Sequence, residues 1–246
     1  MRRLDWKVIL GLSLVVLSAL FYFIHFLIFR DAHHIFIYLV GDIAFVFLEV
    51  LLVTLIIHRL LSQRERRSKL EKLNMVIGTF FSEVGTELLV YLSDCDPNLV
   101  DIRKDLIVAT DWTDADFLAV RKKLRRYKYG IEIDRVDIQR VHNYLLEKRS
   151  FLVRLLENPI LLEHESFTNL LRAVFHLAEE LTSRGTLTNL PETDLQHLAG
   201  DIKRAYIRLV REWLDYMKYL KNNYPYLFSL AMRTNPFDQE ASPIVK

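Results

Sequence analysis

Two apolar runs separated by one short polar break constrain the chain more than any other feature. Val8 to Phe29 is the first run and Ile35 to Ile57 the second, 22 and 23 residues long, and neither contains proline, lysine or arginine. A helix of that length rises about 33 Å, against about 30 Å of bilayer hydrocarbon. The pair therefore reads as a transmembrane helical hairpin over residues 1–58. The second run carries two carboxylates, Asp42 and Glu49.

Arg2, Arg3 and Lys7 precede the first run, which gives the N-terminus the look of a secretory signal. A cleaved signal has a shorter apolar core and a small-x-small cleavage site. Here bulky Phe21, Tyr22 and Phe23 stand where cleavage would fall, so the segment is expected to stay as an anchor. Orientation follows lysine and arginine near the membrane. Three flank the first run, Arg30 alone sits in the break, and Arg59, Arg64, Arg66, Arg67, Lys69 and Lys72 follow the second. Both termini are thus expected on the cytosolic side of the cell membrane. Trp6 suits the inner interface.

Residues 59–233 read as a cytosolic all-helical domain with a stalk helix. Seven glycines and six prolines, the prolines all after residue 96, argue against a turn-rich β fold. A single cysteine, Cys95, excludes an internal disulfide framework. The charged stretch 62–72 has no helix breaker. A helical face follows it, through Leu73, Val76, Ile77, Phe80, Phe81, Val84 and Leu88. Asp94-Cys95-Asp96-Pro97-Asn98 ends that helix. A short helix is expected within 99–110, a capping box at Thr113–Asp116 opens the next, and Asp134 and Ser166 are expected caps of two more. Leu195, Ala199, Ile202, Tyr206, Leu209, Trp213, Tyr216 and Leu220 then repeat at alternating spacings of four and three, a heptad seam. Its aromatic residues favour an intramolecular bundle over a subunit interface. Residues 234–246 read as a flexible tail. No internal repeat is present.

Asp42 and Glu49 are the leading functional candidates. Seven residues apart, they share one helix face about 10 Å apart along its axis, with Tyr38 on the same stripe. Ser18, Tyr22 and His25 share a face of the first helix. Antiparallel pairing puts Tyr22 and His25 near the depth of Asp42. Charge at the bilayer centre costs several kcal/mol or more, so these groups are expected to face protein or water. Three roles are open: hydrogen-bonded helix glue, the lining of a cation path shared by several hairpins, or a proton relay with His25.

In the soluble part His176 with Glu179, and Asp194 with His197, stand at i, i+3. Ferritin-like sites use Glu followed by His plus further inward glutamates. Neither pair fits, and no metal or cofactor site is expected. Arg121, Lys122, Lys123, Arg125, Arg126 and Lys128 form a basic face, read as solvated. Arg59, Arg64, Arg66, Arg67 and Lys69 are suited to anionic lipid headgroups. The net charge of +2 is too small to argue for nucleic acid. No phosphate loop, nucleophile elbow, zincin or kinase signature occurs, so no enzyme is expected. Cys95 lies between two aspartates, which would raise its pKa.

The expected function is an oligomeric two-pass channel or transporter for a cation or proton. Its path would be lined by Asp42 and Glu49 with Tyr22, His25 and Tyr38, and its cytosolic bundle would assemble or gate it. The alternative is a membrane-tethered sensor or scaffold whose bundle binds a cytosolic protein partner or lipid headgroups.

Overall fold

A computed structural model describes residues 6–159, 161 and 164–245. Arg2 and Arg3 of the orientation cluster lie outside the described residues, as do the side chains of Lys7 and His34. Every described element is helical. The chain divides into two compact units, Met1–Arg66 and Arg67–Lys246.

The first unit holds α1 (Trp6–Phe29) and most of α2 (Ala32–Phe80). Arg30 adopts a left-handed φ of 48° at the turn between them. Its N–H donates to the Phe26 carbonyl at 2.8 Å, and the Asp31 carboxylate accepts from the His33 N–H at 2.9 Å, opening α2. Both helices are long and apolar enough to cross a membrane. From Trp6 to Lys72 no described residue is buried, and only His25, Ile35 and Leu39 are half-buried. The apolar faces therefore find no cover within the unit itself.

α2 continues without a break through the charged stretch. An Arg67–Glu71 pair at 3.1 Å supports it one turn apart. At Phe81–Gly85 the helix widens into a π turn, where the Thr86 N–H reaches back to the Phe81 carbonyl, and α3 (Thr86–Asp94) carries on. The widening matches the side chains it must seat. Phe80 meets Phe167 edge-on at 5.4 Å, and Phe81 stacks on Tyr216 at 5.4 Å. Gly85 is needed there because a Cβ would stand 2.7 Å from the Phe81 ring and 2.8 Å from the Phe80 ring.

The second unit is a helical bundle built around α8 (Glu192–Asn223), which packs against α3, α5 (Asp114–Arg126), α7 (Glu165–Ser183) and α9 (Pro225–Arg233), with α6 (Ile138–Leu156) laid on α7. Short α4 (Val100–Arg103) and a following 3-10 turn fill the expected helical stretch within 99–110. The seam of α8 faces inward at Ile202, Tyr206, Leu209, Trp213 and Leu220, widened by Leu198, Ala205, Val210, Leu214 and Met217. A stripe that wide is a helix at the centre of a bundle rather than a narrow coiled-coil seam.

Local details differ from the sequence expectations in three places. Asp134 falls inside a 3-10 turn (Ile133–Arg135), and Asp137 caps α6 instead, accepting from the Arg140 N–H at 2.9 Å. The α7 cap is His164, whose ring nitrogen accepts from the Phe167 N–H at 3.3 Å, not Ser166. The tail expected to be flexible from residue 234 is docked at its start. Phe237 is buried against Trp213 at 5.0 Å, and the Asn235 amide donates to the Leu106 carbonyl at 2.9 Å. Burial of an aromatic ring outweighs the chain-end entropy that the tail would otherwise retain. The Thr113 capping box is present, with the Asp116 carboxylate accepting from the Thr113 N–H at 2.6 Å.

Candidate functional site

Tyr38, Asp42 and Glu49 are all exposed on α2, and Tyr22 is exposed on α1. α2 runs straight past Gly41, where an added Cβ would meet nothing within 4 Å. No hydrogen bond or ion pair joins Asp42 or Glu49 to any described residue, and none joins Tyr22 to Asp42. A Tyr22–Asp42 hydrogen bond, one of the roles open from the sequence, is thus not formed between these described residues. On α1, Ser18, Tyr22 and His25 line a shallow hollow with Phe21, Ile24, Ile28 and Phe29, and the His25 ring lies 4.7 Å from that of Phe29. Asp42 and Glu49 are therefore exposed, on a helix otherwise covered in exposed apolar side chains, while His25 on α1 is half-buried.

Arg59, Arg64, Arg66, Arg67 and Lys69 are exposed along the middle of α2, where its composition changes from apolar to charged. The basic face of α5 is partly neutralised. Arg121 pairs with Asp215 at 3.1 Å and Lys123 with Asp105 at 2.6 Å. Cys95 is buried, and its thiol is pushed up first by burial and then by Asp94. That is the environment of an inert thiol.

The histidines of the helical domain do come together, but not in the pairs that the sequence suggested. Glu179 is exposed, and Asp194 binds Arg184, accepting at 2.7 and 2.9 Å. His176 instead faces Glu180, one turn along α7, and His197 faces Asp201, one turn along α8. The missed signal is a His-x-x-x-carboxylate spacing carried by two consecutive helices.

A second feature of the helical domain is a cleft of about 430 Å³ between α3 and α6, lined by Glu87, Tyr91, Asp137, Arg140, Tyr144 and Glu147 among others. The Arg140 guanidinium lies 4.9 Å over the Tyr91 ring. The Tyr91 hydroxyl accepts from the Asp137 N–H, and the Tyr144 hydroxyl donates to the Val84 carbonyl at 3.1 Å. Burial is the first cause raising both phenols.

These features define a class: an all-helical protein in which two long apolar N-terminal helices lead into a helical domain. Residues 69–233 match the family described as "Uncharacterized protein MJ1433, C-terminal helical domain", and residues 2–61 match its N-terminal helical domain. The chain belongs to this family. It is 48% identical over 236 residues, 96% of this chain and 95% of the relative, to "Uncharacterized protein MJ1433" of Methanocaldococcus jannaschii. No solved structure matches.

Proposed function

We propose that the chain is a two-pass membrane protein whose hairpins assemble, copy against copy, around a polar path for a cation or proton lined by Asp42 and Glu49. One observation carries the reading. Both carboxylates stand exposed on a single face of an apolar helix, with no partner among the described residues of their own chain. In a bilayer that face cannot be left to lipid. Two helices cannot enclose it either, so further hairpins supply the walls. Tyr22, His25 and Tyr38 supply polar atoms at neighbouring depths. The remaining apolar faces of α1 and α2 take the lipid, both termini lie on the cytosolic side, and Arg59, Arg64, Arg66, Arg67 and Lys69 meet anionic headgroups. The helical domain assembles or gates the path.

Flux in proteoliposomes tests this. The combined Asp42→Asn and Glu49→Gln variant should lose cation or proton flux driven by a set gradient. Flux equal to that of the unaltered chain would overturn the proposal.

A second reading is favoured by the cleft beside α6. Here the chain is a tethered docking module, and Arg140 with its flanking tyrosines takes a carboxylate-bearing segment of a cytosolic protein. Under it Arg140→Ala abolishes capture of that partner, while the Asp42 and Glu49 substitutions leave capture intact.

A further inference from the structure

We propose that His176, Glu180, His197 and Asp201 bind one divalent first-row transition-metal ion of the Zn²⁺, Fe²⁺, Mn²⁺ or Co²⁺ type. The site is built by the α7–α8 helical hairpin, each helix giving one imidazole and, a turn later, one carboxylate. That i, i+4 spacing puts both groups on the same side of each helix.

The distances separate a metal site from a hydrogen-bonded cluster. His176 Nε2 lies 3.5 Å from Asp201 Oδ2 and 3.7 Å from Glu180 Oε1. His197 Nε2 lies 3.4 Å from Asp201 Oδ2 and 3.6 Å from Glu180 Oε2. Good N–H···O hydrogen bonds centre near 2.9 Å. Two ligands each held about 2.1 Å from a shared tetrahedral ion stand about 3.4 Å apart. The four imidazole-to-carboxylate approaches, at 3.4, 3.5, 3.6 and 3.7 Å, lie nearer the second value than the first. The ligand atoms of His176, Glu180 and Asp201 all lie within 4.8 Å of one another and form the core of the site; His197 stands outside that set and joins it through Asp201 Oδ2 and the other oxygen of Glu180.

Asp201 gives the independent pointer. Its side chain is 2% exposed, yet Oδ2 has no hydrogen-bond partner and is aimed at both imidazoles. A buried carboxylate oxygen left without a donor is costly, and a cation is the partner that relieves it. The other oxygen is held: Asp201 Oδ1 accepts from Arg204. On the opposite helix Glu180 Oε2 accepts from Arg184 at 2.8 Å, and Arg184 is itself fixed by Asp194 at 2.7 Å. Such outer contacts orient ligating carboxylates. Counting three carboxylates against two guanidiniums, the cluster keeps one net negative charge before any ion arrives. The imidazole side chains are 46% and 54% exposed, so an ion can enter from solvent. Mixed imidazole and carboxylate ligands suit borderline ions. They disfavour Ca²⁺ and Mg²⁺, which take oxygen alone, and Cu(I), which takes sulfur.

The test uses the full chain in detergent, stripped with a chelator and titrated with Co²⁺ alone. Visible d–d absorption should grow to saturation near one equivalent per chain and be displaced by Zn²⁺. Zn²⁺ should also raise the melting temperature. His176→Ala and His197→Ala, at half-exposed positions, should keep their helicity by circular dichroism, weaken Co²⁺ binding about tenfold or more each, and lose the thermal gain. His197→Gln, which keeps the bulk, should behave the same way. The proposal is overturned if the unaltered chain shows neither absorption nor thermal gain. It is equally overturned if folded histidine variants take up Co²⁺ as well as the parent, since the four groups would then be a proton-linked ion-pair cluster.

Discussion

Asp96 shows how much a single residue can hold in this bundle. It is 4% exposed, and its carboxylate accepts from the Tyr127 hydroxyl at 2.6 Å, the Asn98 N–H at 3.0 Å and the Gly130 N–H at 3.2 Å. It thereby ties the end of α3 to the loop after α5. Asp96→Ala would strand those donors and should cost about 2–4 kcal/mol, read as a lower midpoint in urea. Asp96→Asn, which keeps an acceptor, should cost less. Glu212 behaves differently. It is 4% exposed, and burial pushes its carboxyl up to about 7, against the pull of Ser166 and Arg121. His164, 3.9 Å away, is pushed down by burial, so at neutral pH the pair favours its neutral forms over an ion pair. A raised carboxyl means that the folded chain holds a proton the unfolded chain releases. Its stabilising contribution is full below the ordinary glutamate range and lost as pH climbs through about 7. Glu212→Gln should therefore flatten the stability profile between about pH 4.5 and 7 and be the more stable chain above it. The difference is on the order of 3 kcal/mol. Urea midpoints taken across that range decide it, and an unchanged slope would contradict it.

At the scale of elements, the π turn is the sharpest test of packing. Gly85→Ala places a methyl against the Phe80 and Phe81 rings, which are themselves locked against Phe167 and Tyr216. The cost should be about 1–3 kcal/mol, seen as a lower melting temperature with the helical signal retained below it. The docked tail gives a second prediction. Truncation after Arg233 uncovers Trp213 and leaves the Leu106 carbonyl without Asn235. Losing the buried Phe237 ring should cost about 3–5 kcal/mol, measured by denaturant unfolding. The elements with long repeats were legible in the sequence because periodicity is a property of many residues at once: the two apolar runs, α7 and the seam of α8. Elements decided by one side chain were not. Asp134 and Asp137 are both residues that can cap a helix, and the 3-10 turn that takes in Asp134 leaves the cap to Asp137. Asn235 and Phe237 carry no local pattern; their partners lie far away in sequence. The His176–Asp201 cluster was hidden for the same reason. Each helix shows an unremarked His-x-x-x-carboxylate spacing, and only the α7–α8 packing makes it one site.

At the scale of the whole molecule, the proposal joins the exposed apolar length of α1 and α2 to the exposed carboxylates of α2: under it, lipid and further copies of the chain complete the hairpin. Asp42 and Glu49 were legible because acids are conspicuous in an apolar run. Under the proposal their partners lie on other copies, and a path shared between copies leaves no mark on one chain's sequence. The most direct test of self-assembly is the mass of the full chain in detergent, by light scattering corrected for bound detergent. A defined oligomer with enough hairpins to enclose a path, about four or more, is the predicted result. A clean monomer at concentrations far above those of the membrane preparation would contradict it, because each Asp42 and Glu49 would then face no second hairpin at all.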